Sequence, residues 1–171
     1  MPIDLPWYTL IHVVLSLVGA IAGLVVVGGL MAGVRFNRWT GLFLATTVLT
    51  SVTGFGFPFV KLLPSHIVGV VSLLVLPFAI AALYWKRLAG IWREVFVVLS
   101  VLALYLNAFV LLAQFLQKIP VLAAIAPNPQ APAFAATQVL VLVLFVGLGW
   151  AAVKGFRNAP AASLTPADRG A

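Results

Sequence analysis

Trp92 to Pro120 reads WREVFVVLSVLALYLNAFVLLAQFLQKIP. The run is apolar enough to span a bilayer, yet Ser100, Asn107, Gln114 and Gln117 interrupt it at steps of seven, seven and three. Those steps set the four polar side chains roughly along one stripe of a helix, with Ala103 filling in. Hydrocarbon solvates an amide poorly, so the stripe should face protein or a wet cavity. From Glu94 to Gln117 a helix rises roughly 35 Å at 1.5 Å per residue, enough to cross the hydrocarbon core. The other apolar runs must supply whatever the stripe faces.

The composition fixes the class. Of 171 residues, 64% are hydrophobic and only 8% charged, giving a mean hydropathy of +1.19. A soluble domain carries about a quarter charged residues. The fold class is therefore an all-α polytopic transmembrane bundle. There is no cysteine, which removes disulfides, thiolate metal sites and thiol catalysis. Asp4, Glu94 and Asp168 are the only carboxylates, so carboxylate proton relays and paired acid/base catalysis lack their groups. The net charge of +7 is dispersed between apolar runs rather than gathered in a patch, which argues against nucleic acid and for topology signals.

Five spans are expected, at about 7–33, 40–57, 65–85, 92–117 and 137–154, forming a single bundle over residues 1–157. Trp7 and Tyr8 suit an interfacial aromatic belt. No Lys or Arg precedes the first run and it continues past Ala20-Ile21-Ala22, so it reads as an uncleaved helix rather than a signal peptide. The second run is rich in hydroxyls (Thr46, Thr47, Thr50, Ser51, Thr53), which either bond the preceding turn of their own helix or join a shared polar interior. Ser65 is a plausible N-cap for the third run, and Pro77 in its middle frees a carbonyl near Leu73. Gly19/Gly23, Gly29/Gly33 and the Gly147, Ala151, Gly155 face would let helices approach closely. Residues 118–136 form an apolar, Pro-rich connection, expected to lie on the membrane surface or cap the bundle with a short helical turn at Val121 to Ala126. The tail, 158–171, reads as disordered.

Five spans put the termini on opposite sides. Arg35, Arg38, Lys86, Arg87, Arg93, Lys154, Arg157 and Arg169 then share one side, against Lys61 and Lys118 on the other. The positive-inside rule places the N-terminus outside and the C-terminus in the cytoplasm. In this topology His12, His66, Gln114 and Gln117 lie at similar depth near the outer face, and Asn107 lies near mid-membrane. Two histidines on different helices would suit axial ligation of a b-type haem, or a quinone head group; equally, interfacial histidines simply meet lipid head groups or water. The stripe likewise admits two readings, as glue between helices or as the lining of an uncharged cavity.

The run LYLNAFVLLAQFLQKIPVLAAIAP (104–127), followed by PAF and TQ, with TTVLTSVTGFGFPF (46–59) and LLPSHIVG (62–69), resembles a family of small bacterial multi-spanning inner-membrane proteins with no established activity. The resemblance covers about a third of the chain. It implies a bacterial inner-membrane location and supplies no catalytic residues. The leading expectation is a non-enzymatic membrane protein with an outward-facing uncharged polar pocket, built from His12, His66, Asn107, Gln114, Gln117 and Thr50. It would need no cofactor, and would act as an accessory subunit or as a binder of a small amphiphile. Its partners would be the bilayer and other membrane subunits or further copies of itself. Two alternatives stand beside it: a redox protein holding haem or quinone through His12 and His66, and a permease for a small uncharged solute.

Overall fold

The structure, a computed structural model, describes residues 6–57, 64–126 and 128–158. The expectations for Asp4, for Lys61 and for the tail beyond Asn158 lie outside the described residues, as does the Ser65 side chain. Among the described residues every regular element is helical: α1 (Pro6–Met31), α2 (Asn37–Gly54), α3 (Pro64–Ile80, continued by a π-helical turn Ala81–Trp85), α4 (Trp92–Lys118), α5 (Pro120–Ala123) and α6 (Pro132–Arg157).

Among the described residues, four helices are long and apolar enough to cross a membrane: Pro6–Met31, His66–Trp85, Trp92–Lys118 and Pro132–Arg157. α2 is not among them. Its 18 residues reach about 27 Å at 1.5 Å per residue, and Asn37, Arg38 and its row of hydroxyls dilute its apolar character. Those hydroxyls mostly bond within their own helix. Thr46 Oγ1 donates to the Leu42 carbonyl at 2.7 Å, Thr47 to Phe43 at 2.7 Å, and Ser51 to Thr47 at 2.8 Å. Their protons are satisfied locally, so the chain can bury this helix among the others without leaving those donors bare.

Neighbouring helices in the chain run antiparallel, and the small residues decide how closely. α1 lies along α2 and α4 at Gly19 and Gly23. A Cβ on Gly23 would sit 2.6 Å from a Leu104 methyl and 2.8 Å from the Phe43 ring. α6 meets the end of α1 at Gly155, whose absent side chain leaves room for the Leu30 and Met31 backbone. Gly147, by contrast, has nothing within 4 Å of where its Cβ would stand. The core below is formed by Leu30, Phe43, Leu76, Phe96, Leu104 and Phe156, all fully buried. A smaller cluster of Leu116, Ala126 and Phe134 fastens the Pro-rich connection to the end of α4, while Val121 and Ile125 point outward, 74% and 65% exposed. Pro132 opens α6 rather than breaking it, because a missing N–H is harmless in the first turn. The sixth helix thus begins five residues before the fifth expected span.

Two helix ends show how the loops are set. α1 closes on Gly33, φ +73°, with Gly33 N–H bonded to Leu30 O at 3.1 Å and Val34 N–H to Gly29 O at 2.8 Å; this is a Schellman cap. After Pro77 the third helix widens to a π-turn, and it ends with Arg87 and Leu88 at φ +49° and +58°. Leu88 is buried and anchors the turn, but Arg87 is exposed and has only the strain. Arg87→Gly is expected to raise the unfolding free energy by about 1 kcal/mol, read from unfolding in detergent; a loss of stability would contradict that account.

The ends of the bundle differ in charge. The α1–α2 and α3–α4 turns and the end of α6 bring Arg35, Arg38, Lys86, Arg87, Arg93, Lys154 and Arg157 to one end. There Arg93 Nη1 donates to the Arg157 carbonyl at 3.4 Å, Arg157 lies 3.9 Å from Glu94, and Lys154 sits 5.0 Å above the Trp150 ring. These exposed contacts each contribute less than about 1 kcal/mol; what they establish is a basic, aromatic-lined rim.

Candidate functional site

At the opposite end, α1, α2, α3 and α4 part around a cavity of about 540 Å³. α1 contributes Thr9, His12, Val13 and Ser16, and α2 contributes Thr47, Thr50, Ser51 and Gly54. His66, Gly69 and Ser72 come from α3; Asn107, Val110, Gln114 and Lys118 come from α4, with Phe55, Phe57 and Phe115 as aromatic wall. Among the described residues the wall is mostly apolar and carries one cation, Lys118, but no carboxylate.

Asn107 is committed to α1. Its Oδ1 accepts from Ser16 Oγ at 2.8 Å and its Nδ2 donates to the Ser16 carbonyl at 3.1 Å, both bonds buried. This two-point clamp closes the cavity floor. Gly19 makes room for it, since a Cβ there would stand 3.3 Å from Asn107 Nδ2 and 3.1 Å from Thr46 Oγ1.

His12 is held by a relay. Its Nδ1 lies 2.9 Å from Thr53 Oγ1, and the Thr53 hydroxyl lies 2.7 Å from the Leu49 carbonyl. Tyr8 donates to the Thr53 carbonyl at 2.6 Å, and the Phe57 ring stands edge-on to the imidazole at 5.0 Å. Gly56 abuts the Tyr8 hydroxyl and Gly54 the imidazole, so the end of α2 is cut away to admit both rings. His66 is almost fully buried, 6.3 Å from Phe55 by ring centroids. Gly69 lets that phenyl ring in, as a Cβ there would come within 3.3 Å of it.

Of the six residues singled out in the sequence, His12, His66, Asn107, Gln114 and Thr50 line this one cavity, and Gln117 does not. The physical reason is angular. Seven residues fall about 20° short of two turns, whereas three residues turn the helix about 60° short of one, so Gln117 swings off the stripe and is exposed. Ser100 leaves the site at the other end, fully buried in the core with its hydroxyl unpartnered. Thr50 Oγ1 is also sealed and unpartnered, the exception among the α2 hydroxyls.

Ser16, Ser72 and Gln138 escape the sequence reading. Ser16 was within reach, one turn after His12 on the same face. Gln138, which donates to the Phe109 carbonyl at 3.3 Å, sits in the second turn of α6, close to a stretch that reads as loop because of its prolines. Among the described residues no three of His, Cys, Asp or Glu gather as a metal site would require. No family description, curated protein or solved structure matches the chain.

Proposed function

We propose that this chain is a non-enzymatic, five-helix protein of the bacterial inner membrane whose outward-facing cavity holds a small amphiphile, either as a carrier or as an accessory subunit. The observation that carries the reading is the cavity itself: about 540 Å³, apolar in most of its wall, with polar groups from four helices converging on it. Such proportions fit a ligand with a short apolar body and an uncharged polar head. Below the clamp, Phe43, Leu104 and Phe96 fill the bundle, which weighs against a solute path in this conformation. The apolar outer face of α6 (Leu140, Val143, Val146) suits lipid or a neighbouring subunit.

Filling the cavity tests the reading. Val110→Trp is expected to strip from the purified protein an amphiphile that wild type retains over bulk lipid, as measured by mass spectrometry of organic extracts. An identical extract from both proteins would sink the proposal. A second reading, a redox protein holding haem or quinone, draws on both imidazoles lining the same cavity. A haem absorbance band lost in His12→Ala and in His66→Ala would favour it. The orientation has a separate check, for the basic rim favours the cytoplasm. Reporter fusions at Gln130 are expected to act outside and those at Arg169 inside, and the reverse pattern would refute it.

A further inference from the structure

The hydrogen-bond directions on the cavity wall say what the ligand's head must offer. Thr53 has one hydroxyl proton and stands between two carbonyls of its own helix, Leu49 at 2.7 Å and the more distant Thr50 at 3.2 Å, on one side and His12 Nδ1 at 2.9 Å on the other. Were the proton turned toward His12, two oxygens would face each other at 2.7 Å with no proton between them. With the proton on the carbonyl side, both contacts become hydrogen bonds, and Nδ1 must carry the hydrogen that reaches Thr53. His12 Nε2 is then a bare lone pair. It takes no partner among the described residues, and it is not one of the polar atoms sealed from solvent. Three more groups on the wall have also given their protons away: Ser16 to Asn107, Thr47 to Phe43 and Ser51 to Thr47. That side of the cavity accepts.

We infer that His12 Nε2 is the acceptor for a hydroxyl on the bound molecule, so that the site selects an aromatic alcohol (a phenol or a hydroquinone) over the corresponding ether or quinone. Phe55, Phe57 and Phe115 on the same wall supply the apolar, aromatic surface such a ring requires. An ether or quinone brings only further lone pairs and leaves the imidazole unpaired, which lowers affinity. This inference rests on the amphiphile-binding reading above, and the experiment separates the two.

The test is calorimetric binding of 4-hexylphenol and of its methyl ether, 4-hexylanisole, to the full chain in lipid nanodiscs, with empty discs as blank. Wild type is expected to bind the phenol roughly tenfold more tightly than the ether, and in His12→Gln the two affinities are expected to converge. Equal affinities in wild type, or a tighter ether, would overturn the acceptor role and leave the pocket reading standing. Discrimination that survives His12→Gln unchanged would overturn the assignment to His12. Binding of neither probe would overturn the pocket reading and this inference with it. ¹⁵N NMR of histidine-labelled protein reads the tautomer directly: a hydrogen on Nδ1 is expected for His12, and one on Nε2 alone would refute it.

Discussion

Gly155→Val is expected to be the most damaging single substitution at a helix contact, costing about 3 kcal/mol or preventing assembly altogether. A Cβ at this position would stand 2.7 Å from the Met31 carbonyl carbon and 3.0 Å from the Leu30 carbonyl oxygen, and would overlap the Met31 oxygen. These are backbone atoms at the end of α1, held by the Schellman cap on Gly33, and they cannot rotate aside as a leucine methyl could. α6 must therefore move off α1, and Phe156, Ala152 and the Arg93–Phe156 contact go with it. Gly147→Val is the control, since that site opens away from the other helices; its cost should stay within about 0.5 kcal/mol. Denaturant unfolding in mixed micelles measures both. Similar losses at the two positions would mean that α6 does not meet α1 through Gly155.

That pair of glycines also shows what the sequence could and could not tell. Four of the five expected spans are legible as long apolar helices, because lipid leaves so few solutions and a long apolar run must be helical to satisfy its own backbone. The second, diluted by its hydroxyls, is helical but not apolar enough to count with them. The face that each helix turns inward was harder to read. Gly147, Ala151 and Gly155 look equivalent by composition, yet the packed face of α6 runs through Phe145, Ala152 and Phe156. In a helix apolar on all sides, hydrophobicity no longer marks the inside. Polar residues do mark it, which is why five of the six site candidates gather in one cavity. Sequence reading fails where rotation per residue matters, at Gln117, and where a proline that opens a helix reads as part of the Pro-rich connection, at Pro132. The α2 hydroxyls fell between these cases. Their local bonds followed from residue type, but nothing local distinguished Thr50, whose hydroxyl has no partner, from Thr53, which orients His12.

Asn107→Leu is the second large effect to expect, a loss of about 1–2 kcal/mol with the branching of the side chain kept. Buried bonds between helices in membranes contribute about 0.6 kcal/mol on average and up to about 1.7, and Asn107 makes two of them to one residue. The substitution also strands the Ser16 hydroxyl, which is buried and has no other partner among the described residues. Ser16→Ala should cost less, about 0.6 kcal/mol, because it removes the Oγ bond and leaves the amide still donating to the Ser16 carbonyl. The double variant should fall short of the sum of the two, by the value of the single bond that both remove. The order of the effects is the sharper test. Had the clamp worked only through side chains, the two single losses would be equal. If Ser16→Ala costs as much as Asn107→Leu, the bond to the backbone carries nothing, and the floor of the cavity is held to α1 by the hydroxyl alone.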